Sequence, residues 1–467
     1  MNAPIRPRLA LALLALSQFI IAIDYNIVYV ALPDLARELG FSAQSQQWVI
    51  SAYLVGLGGF LLLGGRAVDR LGRRRMFVLG LILYGVSSLA GGMAADPGTL
   101  VAARAVQGLG GALLTPATLA LISSSFAEGP ERNRAMAVWG TVGGSGLAAG
   151  ALLGGLLTDA LGWQWVFFVN VPLALGAALG APRVLPPDGP AKGGGFDLAG
   201  ALLATLGSCL LVVGLVGGPE QGWGSLAGAG ALSAGAAMLA AFLLLESRIR
   251  NPLLPPRLLT HRRLVTAAAV MFIVLGSVSG AFYVFTLYLQ NVLGYDALAA
   301  GLAFLPLTVI SMLSSERLMA PLLNRWGLRA TLASGLFLHG AGMIVFAFGI
   351  SDGGSFWGLL PGIVIWGLGG YGFPAMYVAA TSGIEPAQQG VAAGLASTAL
   401  QIGGAVGLAV IVAVTGIGAE HATAAAGAVD GLRTAASTAG LAMITASAVA
   451  FTLKAPAATA HEPLTRI

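Results

Sequence analysis

Two charged residues lie inside long apolar stretches of this 467-residue chain, where a charge is costly. Asp24 lies in the apolar run 9–32, and Arg104 lies near the start of the run 98–124. Because a low-dielectric surrounding disfavours an ionised carboxylate, Asp24 is a candidate for a group that gains and loses a proton. Arginine keeps its charge and therefore needs partners. The alternatives are a hydrated or simply paired acid at Asp24 and a snorkelling arginine at a membrane boundary.

A third charged feature is the adjacent pair Glu316 and Arg317. Successive helix positions point about 100° apart, so these two side chains do not face one another on a helix. Glu316 is the second carboxylate candidate. It could be another protonatable site or an anchor for a cationic substrate. It could equally belong to a structural ion pair near an inner gate.

The composition places these residues in a membrane protein. Hydrophobic residues make up 57% of the chain and charged residues 9%, whereas soluble domains carry about 25% charged residues. The apolar runs are about 20 residues long, which is the length of a membrane-spanning helix. The 68 glycines would let such helices approach one another closely.

Several classes of function are excluded by what the sequence lacks. It contains no phosphate-binding Walker loop and no cluster of metal ligands, and its four histidines are scattered. Its single cysteine, Cys209, rules out an internal disulfide. We therefore expect no metal, no cofactor, no ATP-driven pumping and no nucleic-acid binding by this chain.

The apolar runs predict an all-α integral membrane protein with fourteen transmembrane helices. The predicted spans are 9–32, 47–65, 76–94, 98–124, 135–157, 163–181, 197–217, 225–246, 263–291, 298–322, 328–350, 355–381, 390–418 and 434–454. With both termini in the cytoplasm, most of the 24 lysines and arginines fall on inner segments, and only Arg37 and Arg433 fall on outer ones. This bias is the positive-inside pattern of membrane proteins, and it accounts for the basic pI of about 9.6.

Two sequence echoes indicate an internal duplication. The segment from Asp69 to Gly72 is echoed by Asn324 to Gly327, and Gly108-Leu-Gly-Gly111 is echoed by Gly367-Leu-Gly-Gly370. They predict two pseudo-symmetric six-helix bundles, helices 1–6 and 9–14, with helices 7–8 inserted between them. The predicted domains are an N-terminal bundle at 9–181, linkers with the inserted pair at 182–262, and a C-terminal bundle at 263–454. Carriers that work by alternating access have such repeated halves.

Five segments carry a resemblance to a known family. They are the loop Gly65–Arg74, Asp24–Pro33, Arg104–Gly108, Trp163–Pro172 and Tyr288–Gly294. In this order they resemble the fourteen-helix drug:proton antiporter branch of the major facilitator superfamily. The resemblance implies an antiporter, not an enzyme, that uses Asp24 and Arg104 for proton coupling. It further implies a small-molecule substrate, the proton gradient as driving force, a monomer, and a multi-pass location in the bacterial cytoplasmic membrane.

The resemblance also assigns roles to two glycine-containing segments. Gly65 would permit close packing at the end of the second helix, and Asp69 would latch the cytoplasmic side by accepting hydrogen bonds from the opposite half. The remaining gate-loop residues are Gly72, Arg73 and Arg74. The fifth helix would carry an antiport seam, made of Gly146, Gly150, Gly154 and Gly155. Here Ala151 stands where the branch usually has proline, so the proline kink is not encoded.

Polar and aromatic residues within the spans are candidates for a substrate cavity. These residues are Tyr25, Tyr53, Gln107, Tyr283 and Tyr371. Aromatic rings can stack on substrates or make cation–π contacts, although they also serve as core and interface residues. Three classes of function stay open at this point: a proton-coupled exporter, a carrier of the same fold for lipids or for solute symport, and a polytopic sensor or enzyme.

Overall fold

The computed structural model describes residues 7–42, 44–127, 129–188, 198–221, 225–249, 258, 260–385, 388–419 and 424–453. Within these ranges the chain is helical apart from short connections. In chain order the helices are α1 (Pro7–Leu39), α2 (Trp48–Leu71), α3 (Arg73–Gly92), α4 (Pro97–Ser125), α5 (Pro130–Leu161), α6 (Trp165–Phe168), α7 (Asn170–Val184), α8 (Leu198–Gln221), α9 (Leu226–Glu246), α10 (Arg262–Leu287), α11 (Ala297–Gly349), α12 (Phe356–Leu368), α13 (Gly372–Thr381), α14 (Gln389–Ala419) and α15 (Ala424–Phe451).

Local sequence signals explain where some of these helices begin. Asp96 precedes α4, and its carboxylate accepts hydrogen bonds from the hydroxyl and the backbone N–H of Thr99. These bonds lower the pKa of the Asp96 carboxyl below its ordinary value, with the hydroxyl contributing most. Pro97 occupies the first helical position, where its missing N–H would have had no partner in the helix.

The number of spans corrects the prediction of fourteen. In the described part of the chain, twelve helices are long and apolar enough to cross a membrane, with α6 and α7 counted together and α12 and α13 counted together. The prediction of fourteen is therefore wrong, and so is the numbering of two six-helix bundles around an inserted pair. The difference arises at α8 and at α11.

Both helices differ from the predicted spans in length. Helix α8 (Leu198–Gln221) is not among the twelve, and its counted apolar part is Ala199–Leu215. The predicted spans 298–322 and 328–350 fall within one 53-residue element, α11, which consists of two helices that meet at a kink. Gly327 is the residue in α11 with non-helical backbone angles, φ 75° and ψ 171°.

The helices form two groups, and the two groups pack against each other. In the first group α1 packs on α5, while α4 packs on both α2 and α3. In the second group α10 packs on α14, and α11 packs on α12 and α15. Contacts between the groups run mainly through α5 against α11 and through α2 against α14.

Buried apolar side chains form two clusters that follow these groups. One cluster is drawn mostly from α1–α7 and the other mostly from α10–α15. Helix α8 contacts α2, α9 and α14, and the buried hydroxyl of Thr205 donates to the carbonyl of Gly59 at 2.6 Å. The domain boundaries at 9–181, 182–262 and 263–454 stay a prediction. Parts of the middle segment, 189–197, 222–224, 250–257 and 259, lie outside the described residues.

Candidate functional site

Asp24 and Arg104 form an ion pair between α1 and α4. Arg104 Nη1 lies 2.6 Å from Asp24 Oδ2, and the exposed fractions of the two side chains are 2% and 0%. Arg104 Nε donates to the carbonyl of Val49 at 2.8 Å, and the guanidinium lies 4.4 Å from the ring centroid of Tyr53. Packing and hydrogen bonding thus hold a charge that cannot be removed by deprotonation.

Two amide side chains and one hydroxyl complete what we call the Asp24 network: Asp24, Arg104, Gln107, Ser88 and Asn170. Gln107 lies one turn after Arg104 on α4, and its Oε1 accepts from Arg104 Nη1 at 2.6 Å. Gln107 Nε2 lies 2.9 Å from both Asp24 Oδ1 and Ser88 Oγ. Asn170, the first residue of α7, points its Nδ2 at Asp24 Oδ1 from 3.4 Å. All five side chains are at least nine-tenths buried.

The members of the Asp24 network differ in whether they can gain or lose a proton. Amides and hydroxyls do not titrate near neutral pH, and arginine stays charged. Asp24 is therefore the member that can switch between charged and neutral forms. Because removing one partner of a buried ion pair costs about 3–5 kcal/mol, protonating Asp24 leaves Arg104 in need of new partners. A change of charge at Asp24 would therefore disturb the contact between α1 and α4 that this ion pair makes.

The predicted cavity residues do not form one cluster. Tyr53 and Gln107 lie at the Asp24 network. Tyr283 instead accepts a hydrogen bond from Gln46 Nε2 at 2.7 Å, and Tyr371 donates to a serine of α11, Ser334, at 3.0 Å. The Tyr25 hydroxyl is a buried atom that has no hydrogen-bond partner among the described residues.

Glu316 and Arg317 lie apart from this network, on α11. Both are exposed, and the ion pairs found among the described residues do not include either of them. One turn earlier on the same helix, Met312 packs against Gly144 of α5. Glu316 thus faces the region where the two groups of helices separate. The alternative of a structural ion pair at Glu316 has no support in this conformation.

The gate loop joins α2 to α3. Asp69 is exposed, and its side chain makes no hydrogen bond or ion pair with the described residues. The predicted latch is therefore not formed in this conformation. Gly72 ends α2 with φ 110°, a backbone conformation that strongly favours glycine. A Cβ at Gly72 would also collide with the carboxyl group of Asp188.

Asp188 is a functional candidate that the sequence did not reveal. Its carboxylate accepts from the backbone N–H groups of Arg74 and Arg75 at 2.8 and 3.0 Å, in the first turn of α3. Arg74 Nη1 donates in turn to the carbonyls of Pro182 and Leu185. The chain that leaves α7 is therefore fastened to the gate loop. No sequence spacing relates Asp188 to a loop more than one hundred residues earlier.

The glycine seam of α5 faces two different helices. Side chains at Gly146, Gly150 and Gly154 would collide with α1, and a side chain at Gly155 would collide with the backbone of α11. On the α11 side, Gly301 leaves room for the carbonyl of Ala151. The seam therefore joins α5 to one helix of each group, and alanine at 151 is compatible with this close packing.

The two groups of helices touch at one end and separate at the other. At the end away from the gate loop, Gln290 Nε2 donates to the carbonyl of Val30 at 2.8 Å. Along α5, the contact with α11 is tight at Gly155. At Gly144 the nearest atom to a Cβ position is 3.8 Å away, and at Gly140 no described atom lies within 4 Å. The interface is therefore open at the gate-loop end.

The distance between the two groups of helices increases in the same direction along α2 and α14. A Cβ at Gly58 would lie 2.7 Å from Gln401, and one at Gly394 would lie 3.3 Å from Leu62. At Gly65, next to the gate loop, no described atom lies within 4 Å of a Cβ position. Both interfaces between the groups thus open toward the same end.

Comparison with known proteins identifies relatives with transport functions. Over 434 residues the chain is 41% identical to the puromycin resistance protein pur8 of Streptomyces alboniger, with 90% of this chain and 85% of that protein covered. It is 38% identical to the cephamycin export protein CmcT of Amycolatopsis lactamdurans, with 89% and 86% covered.

The fold is also found among solved structures. A bacterial homologue of the human lysosomal transporter Spinster, solved in an inward-facing and unoccupied conformation, superposes with a TM-score of 0.66 at 16% identity. That comparison covers 96% of this chain and 97% of the other. The family model described as Major Facilitator Superfamily matches residues 14–408. With its helical membrane fold, these relatives and this match, the chain belongs to the Major Facilitator Superfamily of membrane transporters, whose members are not enzymes.

Proposed function

We propose that this chain exports small amphipathic molecules, antibiotics or a metabolite, in exchange for protons by alternating access. Two of its relatives are named for puromycin resistance and cephamycin export, which supports drug-like substrates and outward transport. The proton gradient is the driving force, and no cofactor takes part. The transporter acts as a monomer in the bacterial cytoplasmic membrane.

The observation that carries proton coupling is the complete burial of Asp24 beside Arg104. A fully buried ion pair is weak as a stabilising device, since desolvating the two charges offsets much of their attraction. Its retention inside a membrane domain fits a functional role better than a structural one. The exchange needs one group that takes up a proton in one conformation and releases it in the other, and Asp24 is that group.

The orientation follows from the distribution of basic residues. The gate loop carries Arg70, Arg73, Arg74 and Arg75, and positive charges favour the cytoplasmic side. We therefore place the gate-loop end and both termini in the cytoplasm. The conformation described above is then open to the cytoplasm and closed on the outside, ready to accept a substrate from the cell.

The test uses everted membrane vesicles, puromycin as the probe, and an imposed proton gradient. Asp24→Asn is expected to abolish uphill puromycin uptake and puromycin-driven proton release. The matched control is Asp34→Asn, which removes another acid of α1 that lies in a surface ion pair with Arg37. This control is expected to transport normally, because exposed pairs contribute little.

Two outcomes would contradict the proposal. Full puromycin-driven proton release by Asp24→Asn would remove Asp24 from the coupling. Puromycin accumulation in right-side-out vesicles, with none in everted ones, would instead show import by symport.

A further inference from the structure

We infer that Asn170 is the hydrogen-bond acceptor of the proton on Asp24, and that its side-chain amide turns over when Asp24 changes charge. This inference rests on the proposed function, because it assumes that Asp24 is protonated during transport. It assigns a positioning role to a residue that neither carries charge nor titrates.

The argument begins with what each partner of Asp24 can offer. A carboxylate only accepts hydrogen bonds, whereas a protonated carboxyl group also donates one and needs an acceptor. Arg104 has no acceptor atom. The acceptor of Gln107, its Oε1, is already engaged by Arg104 Nη1 at 2.6 Å. Arg104 therefore cannot take the new hydrogen bond, and Gln107 would have to turn its oxygen away from Arg104 to do so.

Asn170 differs from both, because its acceptor is free. The Oδ1 atom of Asn170 is buried and has no hydrogen-bond partner among the described residues, and the whole side chain is 0% exposed. A buried polar atom without a partner costs about 1–3 kcal/mol. Such an atom beside a titratable group suggests that its partner is present in another state of the protein.

The geometry also fixes which end of the amide now faces Asp24. Asn170 Nδ2 lies 3.4 Å from Asp24 Oδ1 and 3.4 Å from the carbonyl of Val166. Both neighbours are acceptors, so the nitrogen belongs on this side while Asp24 is ionised. Because Oδ2 accepts from Arg104 at 2.6 Å, we place the proton on Oδ1, where two donors would then face each other. Rotating the amide by half a turn brings Oδ1 to the acid and removes this conflict.

Other charged or titratable groups also face Asp24, and apart from Arg104 none of them makes a described hydrogen bond to it. Arg104 faces it from α4, while Tyr53 on α2 and Tyr84 on α3 interact with it through their phenol groups. Phenols ionise near pH 10 in water, so at neutral pH they stay protonated. The hydroxyls of Tyr53 and Tyr84 lie next to each other, and the described hydrogen bonds of Asp24 come from Arg104, Gln107 and Asn170.

The experiment measures protonation of Asp24 directly by infrared difference spectroscopy on the full-length protein in liposomes. The carboxylic C=O band that disappears in Asp24→Asn is followed as the pH is lowered. Asn170→Leu removes the acceptor of the protonated form and also the long 3.4 Å contact of Nδ2 with the ionised form. Because a contact of that length is the weaker of the two, the midpoint of the band should move to lower pH by about 0.5–1 unit, the equivalent of one hydrogen bond. The band should also move to higher frequency, because its O–H group loses an acceptor.

The matched control is Asn26→Leu. Asn26 lies on the same helix as Asp24, is 2% exposed, and also has a buried Oδ1 without a partner among the described residues. Its Nδ2 donates to the carbonyl of Leu147 on α5 at 2.9 Å, away from the Asp24 network. The control should leave both the midpoint and the frequency of the Asp24 band unchanged. Asn170→Ser, with the same expected direction, serves as the second variant should the leucine variant fail to fold.

The possible results separate the role of Asn170 from the role of Asp24. An Asp24-dependent band whose midpoint and frequency are the same in wild type and in both Asn170 variants would overturn the role of Asn170 and leave proton coupling intact. An equal shift in Asn26→Leu would also overturn it, since the effect would then be one of general packing. If no Asp24-dependent band forms at any pH at which the protein is folded, the proposed function and this inference both fall.

Discussion

Helices α4 and α12 carry the same glycine sequence but very different neighbours. In α4 the sequence Gly108-Leu-Gly-Gly111 follows Arg104 by four residues and Gln107 by one. In α12 and the turn after it, Gly367-Leu-Gly-Gly370 stands at the same distances from Ile363 and Trp366. All four preceding side chains are buried, with exposed fractions of 2%, 1%, 0% and 1%.

The surroundings of Trp366 are aromatic where those of Gln107 are polar. Phe282 and Phe346 lie with their ring centroids 5.6 and 6.1 Å from that of Trp366, and Phe304 packs edge-on against Phe282 at 5.5 Å. Such arrangements contribute about 0.5–1.5 kcal/mol per pair beyond their burial. The same glycine sequence therefore follows a buried ion-pair network in the first group of helices and a packed aromatic core in the second.

The largest expected effect comes from making α4 resemble α12. Arg104→Leu leaves the buried carboxylate of Asp24 without its cation, which costs about 3–5 kcal/mol, and puromycin transport should be lost. Adding Asp24→Asn should recover much of the thermal stability in detergent but none of the uphill transport. Recovery of transport in the double variant would mean that the pair is structural.

A smaller effect is expected from the matching position in α12. Trp366→Leu removes ring contacts in the second core and should lower stability by on the order of 2 kcal/mol. Because Trp366 touches no member of the Asp24 network, the pH dependence of puromycin-driven proton release should keep its midpoint. A moved midpoint would show that the two cores are coupled more tightly than their separate neighbours indicate.

Two glycines from the other echoed segment, Gly72 after α2 and Gly327 in α11, also have different neighbours. Gly72 and Gly327 both have positive φ, 110° and 75°, with ψ of 140° and 171°, a conformation that costs residues other than glycine about 1–3 kcal/mol. At Gly72 a Cβ would also meet Asp188, whereas at Gly327 no described atom lies within 4 Å. Gly72→Ala should therefore lower the melting temperature more than Gly327→Ala. Equal losses would show that the Asp188 contact adds nothing.

The smallest effect should come from the exposed acid of the second group. A neutral compound exchanged for one proton needs only Asp24, whereas a divalent cation exchanged for one proton moves charge against the membrane potential. We therefore expect Glu316→Gln to leave export of a neutral compound unchanged and to impair export of a dication. Equal loss for both substrates would indicate a structural role, and unimpaired dication export would exclude Glu316 from the mechanism.

The sequence was enough to predict a membrane protein and to single out its buried charged residues, because both depend on residue type alone. Asp24 and Arg104 are conspicuous since ionised groups in apolar runs are costly. Ser88 and Asn170 are not, because a buried serine or asparagine is ordinary until the neighbouring helix is known. The count of spans depends on helix lengths, which residue type alone does not fix. The polar segment Asn324–Arg325 predicts two separate spans, whereas the backbone forms one long element, α11, with a kink at Gly327.

The permanent charge of Arg104 has an electrical consequence. With Asp24 ionised the pair is neutral, and with Asp24 protonated it carries one positive charge, because arginine does not release its proton. Under the proposed exchange, the protonated pair turns from the outside to the inside and the neutral pair returns. An interior-negative voltage of 100 mV, worth about 2.3 kcal/mol per charge that crosses the whole field, would thus accelerate the first movement and, for an uncharged substrate, leave the second unchanged. Export of such a substrate would therefore depend on the membrane voltage, although the residue that carries the extra charge, Arg104, never titrates.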